Sequence, residues 1–324
     1  MIVALAGGVG GAKLSDGLYR TLLPTQQGGG ETGLAHGREL AVVVNVADDF
    51  TLYGLRISPD VDTVLYTLAG IANPATGWGI GGDTFATLEM LRRYGEDTWF
   101  LLGDRDFATH LLRSERLRQG WTPTAVTHAL AEALGVRAAL LPMCDEPVAT
   151  VVLTPDGELA FQEYFVRRRQ ADEVRGVRFE GISEARVTPE VRQAIAEAEA
   201  IIFCPSNPIV SIGPILAVPG MREALAASRA PKIAVSPIVG GRALKGPADR
   251  MLVGLGHEAS PVAVAALYRG LLDGMVIDQQ DASLAGLVEG LGMRVLVTDT
   301  IMEDDAGRAR LARAVLAFAG TSRS

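Results

Sequence analysis

The chain contains little of what marks disulfide-stabilised, exported or membrane-spanning proteins. Its 324 residues include only two cysteines, Cys144 and Cys204, and their isolation predicts reduced, buried thiols rather than a disulfide framework. No apolar run approaches the roughly 20 residues that a membrane helix needs, and the N-terminus has no basic leader before its short apolar stretch. We therefore expect a cytoplasmic protein without a membrane partner.

Lysine is also scarce, and the net charge is negative. Only three of the 30 basic residues are lysines, and the net charge of −8 argues against a nucleic-acid partner. Lys13 and Lys245 border glycine-rich segments, where a compact ammonium group suits contact with a phosphate. Lys232 precedes an apolar run and is predicted to be a surface charge at a strand end. Any phosphate site is therefore expected to be a local positive pocket.

Short apolar runs alternate with helical patterns along most of the chain. Most of these runs are apolar throughout, as expected of parallel strands covered on both faces. The alternation predicts an α/β protein with a doubly wound, mostly parallel sheet. The predicted strands are Ile2–Ala6, Leu40–Val46, Trp99–Leu102, Ala139–Met143, Ala200–Cys204, Ile233–Pro237, Gly274–Asp278 and Arg294–Thr298.

A β-hairpin interrupts this alternation. Thr154-Pro155-Asp156-Gly157 is a turn sequence that joins two apolar runs. We therefore predict a single domain, residues 1–324, with a core from about residues 1–74 and 196–324 and an inserted α/β lobe at about residues 75–195. The glycine-rich segment Thr25–Gly37 is predicted to be a surface loop.

A glycine-rich junction between the first strand and a helical pattern points to a ligand site. It contains Gly8, Gly10, Gly11 and Lys13. Backbone without side chains lets phosphate oxygens approach the N–H groups of a helix N-terminus. The spacing matches neither the Rossmann nor the Walker fingerprint, which disfavours an ordinary dinucleotide-dependent oxidoreductase. Two interpretations stay open: a phosphate site, or glycines that only pack the strand against the helix.

Carboxylates follow the second strand and open the next helix. Asp48 and Asp49 lie at the strand's carboxyl end, the edge of an open α/β sheet where ligands bind, and Asp60 and Asp62 lie in the turn that follows. Carboxylate oxygens suit Mg²⁺, which phosphoryl transfer uses to neutralise charge. We predict that some subset of Asp48, Asp49 and Asp62 binds Mg²⁺. Asp60 is equally well explained as a helix cap.

Two later strand ends carry short polar side chains. Ser206 and Asn207 lie among three prolines, and Ser236 precedes Gly240 and Lys245 in a second glycine-rich segment. These residues are predicted to bind a base, ribose or phosphate. Neither a Ser-His-Asp arrangement nor the ligand spacing of a zinc site competes with them.

In this order, the segments resemble the 2-phospho-L-lactate transferase family of coenzyme F(420) biosynthesis. The resemblance covers nearly the whole chain and implies a Rossmann-like fold, a homodimer and Mg²⁺. It also implies transfer of a phospholactyl or phosphoenolpyruvyl group from a guanosine-diphosphate-linked donor to the ribityl hydroxyl of 7,8-didemethyl-8-hydroxy-5-deazariboflavin, with release of GMP. The matching stretches are GGVGGAK (7–13), NVADD (45–49), SPDVDTVLYTLAG (58–70), GWGIGGDTF (77–85), LGDRDFATH (102–110), PSNPIVSIGPIL (205–216), and SPIVGG with KGPA (236–248).

The resemblance also implies residue roles. Asp62 corresponds to an aspartate that contacts the deazaflavin, and the segments at 7–13, 206–208 and 236–245 correspond to stretches near the guanosine nucleotide. We predict that an aspartate orients or deprotonates the acceptor hydroxyl. Asp62 is the preferred candidate, and Asp49 is the second. Leu101 stands where some relatives carry a basic residue at the acceptor, so that only a backbone contact is expected there.

The alternative function is that of a regulatory protein. Related proteins of the same fold bind nucleotide-sugars without catalysis, and they share the glycine-rich junction. The aspartate-rich segments SPDVD and LGDRD favour the transferase.

Overall fold

Fourteen strands were found in the computed structural model, which describes residues 1–22 and 39–320; the predicted loop Thr25–Gly37 lies outside them. The strands are β1 (Ile2–Ala6), β2 (Leu40–Val44), β3 (Phe50–Leu52), β4 (Leu55–Ile57), β5 (Ala139–Pro142), β6 (Ala149–Thr154), β7 (Gly157–Ala160), β8 (Gly176–Glu180), β9 (Ala200–Phe203), β10 (Lys232–Val235), β11 (Ile238–Val239), β12 (Arg242–Ala243), β13 (Gly274–Asp278) and β14 (Arg294–Thr298).

Seven of these strands form one parallel sheet in the order β14-β13-β10-β9-β1-β2-β5. β1, β2 and β9 are buried along their whole length, which explains their uniformly apolar sequences, and β10 is equally buried although it begins with Lys232. The chain proceeds from β1 to β2 and β5 on one side, and later from β9 outward on the other. This reversal places a switch point between β1 and β9, the position where open α/β sheets bind ligands. The predicted Rossmann-like sheet is confirmed.

Helices cover both the sheet and its loops. None of those in the described part of the chain has the length and hydrophobicity to span a bilayer. They are α1 (Gly8–Leu22), α2 (Pro59–Leu68), α3 (Ala86–Arg93), α4 (Asp104–Arg118), α5 (Pro123–Ala133), α6 (Pro189–Ala196), α7 (Ile212–Ala217), α8 (Met221–Ala227), α9 (Ala248–Gly254), α10 (Pro261–Leu267), α11 (Ala285–Glu289) and α12 (Asp305–Ala319), with a π-helical turn at Glu163–Arg167 and a 3₁₀ turn at Gln279–Leu284.

The predicted hairpin is confirmed, with two corrections around it. β6 and β7 pair through the turn at Thr154–Gly157, and β8 adds a third antiparallel strand. Trp99–Leu102 is not a strand but a connecting segment before α4, whose apolar character serves the packing of the Trp99 and Phe100 rings against each other and against Phe50. Ala139–Pro142, placed by sequence inside the lobe, is an edge strand of the central sheet, paired with β2. The rest of the domain division stays a prediction.

Candidate active site

The turn between β1 and α1 lies at the switch point, where side chains from other loops hold its backbone. Gly7 N–H donates to Ser206 Oγ (3.1 Å), and this hydroxyl donates to the Gly7 carbonyl (2.8 Å). Gly8, with a φ of 61°, donates its N–H to Asp60 Oδ1 (2.8 Å). Of the two interpretations of Asp60, the helix cap is wrong, because Ser58 is the N-cap of α2 and the Asp60 carboxylate binds the first turn of α1 instead.

Glycine is required at two further positions in this turn. A Cβ on Gly10 would lie 2.3 Å from the Pro205 carbonyl oxygen, and one on Gly11 would lie 2.5 Å from Ser206 Oγ. The glycines therefore pack α1 closely against the loop after β9, and they lie within the helix rather than in a loop before it. Helix geometry leaves the N–H groups of Val9 and Gly10 without an intrahelical partner, so that the same turn also suits an anion. Phosphate binding there stays a prediction.

Four carboxylates with little exposed side-chain surface collect at this end of the sheet. Asp48 and Asp49 lie in the loop after β2, and Asp60 and Asp62 lie in the first turn of α2. Asn45 joins the two groups, since it follows β2 directly and its Nδ2 donates to Asp60 Oδ2 (3.0 Å). The loop after β2 and the first turn of α2 therefore lie in direct contact.

Burial raises the pKa of three of these carboxyl groups. The pKa of Asp48 rises well above its ordinary value, and the negative charge of Asp60 adds to the effect of burial. Burial raises the pKa of Asp49 to about 7 although Arg56 opposes it, and that of Asp60 to about 6 although hydrogen bonds from Asn45 and the α1 backbone oppose it. In all three, burial disfavours the charged carboxylate, and the neighbouring positive charges and hydrogen bonds do not fully offset this effect.

The Oδ1 atoms of Asp48 and Asp49 fit a divalent cation. Both are buried and have no hydrogen-bond partner in the described part of the chain. Asp49 Oδ2, by contrast, accepts from Ser58 Oγ (2.7 Å) and lies 3.3 Å from Arg56 Nη2. Unpartnered buried oxygens are costly, and a hard cation would satisfy them. These two residues therefore fit Mg²⁺ on their own chemistry, and its binding stays a prediction.

Asp62 lies in a different environment. Arg113 binds both of its oxygens: Nη1 donates to Oδ2 (3.0 Å) and Nη2 contacts Oδ1. His110 Nδ1 lies 3.6 Å from Oδ2, and all three side chains are buried. Asp62, Asp106 and His110 are close enough to share a metal ion. Because the guanidinium of Arg113 already compensates Asp62, however, a cation fits there less well than beside the first two carboxylates.

The other predicted nucleotide ligands form local hydrogen bonds. Asn207 Oδ1 accepts from the backbone N–H groups two and three residues ahead (2.9 and 3.3 Å), and Ser236 Oγ bonds to the backbone two residues ahead. Gly240, with a φ of 56°, donates its N–H to Asp281 Oδ2 (3.0 Å). These bonds shape the loops after β9 and β10, and contact of these residues with a nucleotide stays a prediction.

The two lysines of the glycine-rich segments are close enough to repel each other. Lys13 Nζ donates to the Met302 carbonyl (2.7 Å), and Lys245 Nζ donates to the Thr76 carbonyl (3.2 Å). Burial lowers the pKa of Lys13, and the positive charges of Arg308 and Lys245 lower it further. An anion between these groups would relieve the repulsion, which agrees with a local positive pocket in an acidic protein.

Leu101 precedes α4 and is half exposed, so its side chain supplies no charge at the surface. Sequence analysis missed Arg56 and Arg113, which bind the carboxylates. The only signal for Arg113 was its spacing of three residues from His110 on one helix, which places the two side chains on one face.

These features define a class: a Rossmann-like α/β protein with a glycine-rich helix N-terminus and a buried carboxylate cluster at the switch point of its sheet. The family model of 2-phospho-L-lactate transferase CofD matches residues 2–299, and the chain belongs to this family. It is therefore a transferase of the 2-phospho-L-lactate or phosphoenolpyruvate type, which acts in coenzyme F(420) biosynthesis.

Curated relatives match over their full length. The chain is 42% identical over 324 residues to the phosphoenolpyruvate transferase of Kitasatospora aureofaciens, covering 98% of this chain and 97% of the relative. It is 39% identical over 315 residues to the 2-phospho-L-lactate transferase of Methanosarcina mazei, covering 97% of this chain and 99% of the relative. A crystal structure of a UPF0052 family member from Bacillus halodurans has a TM-score of 0.64 at 15% identity, covering 97% of this chain and 98% of that one, and it supports the fold alone.

Proposed function

We propose that this protein transfers a phospholactyl or phosphoenolpyruvyl group from a guanosine-diphosphate-linked donor to the ribityl hydroxyl of 7,8-didemethyl-8-hydroxy-5-deazariboflavin, with Mg²⁺ as cofactor. The observation that carries the proposal is the link between the N-terminus of α1 and the loop that holds the unpartnered Asp48 and Asp49 oxygens: Asp60 accepts from Gly8 N–H and from Asn45 Nδ2, and Asn45 begins that loop. A diphosphate needs both anion-binding N–H groups and a divalent cation.

The reaction exchanges one phosphorus–oxygen bond for another. The acceptor hydroxyl oxygen bonds to the phosphorus that carries the organic acid, the bond from this phosphorus to the GMP oxygen breaks, and the hydroxyl proton passes to a carboxylate. Asp48 and Asp49 would hold the Mg²⁺, which when bound neutralises charge on the diphosphate. The N–H groups of Val9 and Gly10 would hold the diphosphate oxygens. Positioning and electrostatics then supply most of the catalysis.

Asp62 is proposed to orient the acceptor hydroxyl. A carboxylate offers about four lone-pair sites, and Arg113 uses one on each oxygen. The remaining lone pairs can accept the hydroxyl of the substrate. No nucleophilic side chain is required, so a covalent enzyme intermediate is not expected.

The donor acid is the part of the proposal that a product analysis tests directly. The named relatives divide between phosphoenolpyruvate and 2-phospho-L-lactate transferases at similar identity. Purified protein incubated with the deazaflavin, Mg²⁺ and each guanosine-diphosphate-linked donor should give one acid-bearing deazaflavin phosphate by mass spectrometry. No product with either donor would overturn the proposed function.

A nucleotide competition distinguishes the transferase from a nucleotide-sugar-binding regulator. GDP should bind more tightly than GMP, because its second phosphate reaches both the α1 N-terminus and the cation site. A UDP-sugar should compete poorly if the loop after β9 receives guanine or its ribose. Displacement of a labelled GDP analogue measures the affinities of GDP, GMP and the UDP-sugar. Preference for the UDP-sugar, without binding of the deazaflavin, would favour the regulator.

Lys13→Met is expected to weaken GDP binding about tenfold, or about 1.4 kcal/mol, because the anion no longer gains from relieving the repulsion among Lys13, Lys245 and Arg308. Lys232→Met is the comparison. Lys232 is buried, not the surface charge that the sequence predicted, and its Nζ donates to the Ser228 and Ala230 carbonyls (both 2.9 Å). This variant should be less stable with unchanged GDP affinity. Calorimetric titration measures the GDP affinity of both variants. Equal GDP affinity of Lys13→Met and wild type would show that Lys13 does not contribute to phosphate binding.

A further inference from the structure

A row of polar side chains fills the contact between α2 and α4, where apolar packing would be usual. We call it the α2–α4 polar strip: Asp62 and Tyr66 of α2 with Asp106, His110 and Arg113 of α4. All five side chains are buried. The spacing of four residues on α2, and of four and three on α4, places each set on one face of its helix.

Close contacts link the members of the strip from one end to the other. Tyr66 Oη donates to Asp106 Oδ1 (2.6 Å), and His110 Nε2 lies 3.3 Å from the same oxygen in a contact that is not a hydrogen bond. His110 Nδ1 lies 3.2 Å from Arg113 Nη1, which in turn donates to Asp62 Oδ2. The chain of contacts therefore ends on the carboxylate of Asp62.

Arg113 also connects Asp62 with the carboxylate cluster. Its Nη1 donates weakly to the Arg56 carbonyl (3.5 Å), and Arg56 Nη2 lies 3.3 Å from Asp49 Oδ2. Burial would lower the pKa of Arg113, but the charge of Asp62 and the hydrogen bonds between them outweigh burial and raise it. Arg113 is thus a permanent cation between two functional acids.

A buried ion pair of this kind is weak support for stability. Replacing such pairs with apolar residues of similar volume is often neutral or stabilising, so two packed helices do not need one. What the pair does supply is fixed orientation, because the planar guanidinium binds a carboxylate at both oxygens in one geometry.

We propose that Arg113 and His110 are positioning residues of the transfer reaction. Both side chains fix the Asp62 carboxylate, and the guanidinium of Arg113 compensates its charge, so that its free lone pairs meet the acceptor hydroxyl in one orientation. The inference rests on the proposed function, since it assigns Asp62 to the acceptor. It predicts that loss of Arg113 slows the transfer step and leaves the guanosine site intact.

The test compares three Arg113 forms in the full-length protein. Arg113→Ala should lower kcat about 100-fold, the loss that a misplaced reacting group causes, with KM for the donor and Kd for GDP unchanged. Guanidinium ion at millimolar concentration should restore part of kcat by entering the vacated space. Arg113→Lys keeps the buried charge but not the planar guanidinium, and its kcat should lie between those of wild type and Arg113→Ala.

Two further variants serve as comparisons. His110→Asn should lower kcat less than Arg113→Ala, because His110 contacts Asp62 at longer distance. Arg118→Ala, on an exposed part of the same helix, should match wild type. Thermal unfolding and GDP titration of each variant report whether the fold and the nucleotide site survive.

Two outcomes would overturn the inference. One is a folded Arg113→Ala protein with kcat within twofold of wild type. The other is a loss that guanidinium does not restore and that is matched by an equal loss of GDP affinity in both Arg113 variants, which indicates a structural role. Failure of the proposed function is distinguishable, because wild type would then form no product with either donor.

Discussion

Asp48→Asn is expected to lower turnover about a thousandfold while leaving the protein at least as stable as wild type. The Lewis-acid contribution of a bound cation is worth several kcal/mol, and each 1.4 kcal/mol is about tenfold in rate. Asp48 Oδ1 is buried without a partner, and the charge of Asp60 acts on the same carboxyl group. An amide of equal size removes the buried charge. Folding stability should therefore be kept or increased, while the reaction loses a ligand of the cation.

Turnover at saturating Mg²⁺ and thermal unfolding without added metal measure the two effects separately. Asp156→Asn, in the exposed turn between β6 and β7, is the matched control and should change neither quantity. Turnover of Asp48→Asn within tenfold of wild type would show that Asp48 does not hold the cation.

Gly10→Ala has the second large expected effect. The new Cβ would lie 2.3 Å from the Pro205 carbonyl oxygen, and this neighbour is backbone that cannot rotate away. Displacing α1 from the loop after β9 should cost about 1–3 kcal/mol of folding free energy, as overpacking does. GDP affinity should fall at least about tenfold, equal to about 1.4 kcal/mol, because the N–H groups of the first turn move with the helix.

Gly286→Ala is the matched control for a glycine in a helix. A Cβ at Gly286 in α11 meets no atom within 4 Å, so alanine should be neutral or stabilise by up to about 1 kcal/mol. Denaturant unfolding and calorimetric titration of the two variants check the pair. Equal stability and equal GDP affinity of Gly10→Ala and wild type would show that the turn tolerates a side chain.

The strands were predictable where burial alone decides their sequence. Ile2–Ala6, which is apolar and buried along its whole length, was predicted with the bounds that the structure shows, since uniform apolarity is typical of covered parallel strands. Trp99–Leu102 has the same apolarity for another reason: its aromatic rings pack on Phe50 in a connecting segment. Hydrophobicity by itself does not separate these two cases.

The candidate site was predictable in its acids but not in their partners. Asp48, Asp49 and Asp62 follow a strand end or open a helix, so the topology of the sheet brings them together. Arg113 lies 51 residues from Asp62 in sequence, and it reaches this carboxylate only because α4 packs against α2. Such a contact depends on tertiary packing, for which a single sequence carries no local signal.

The hydrogen bonds between Gly7 and Ser206 determine how much of the chain must be synthesised before the turn after β1 reaches its final form. Among the strands of the sheet β1 is synthesised first, yet it lies inside the sheet, and β9 must be synthesised before β1 gains its second neighbour. The glycine-rich turn receives its hydroxyl support from a residue 199 positions later. The proposed nucleotide site therefore cannot be complete until Ser206 has been synthesised and β9 has paired with β1.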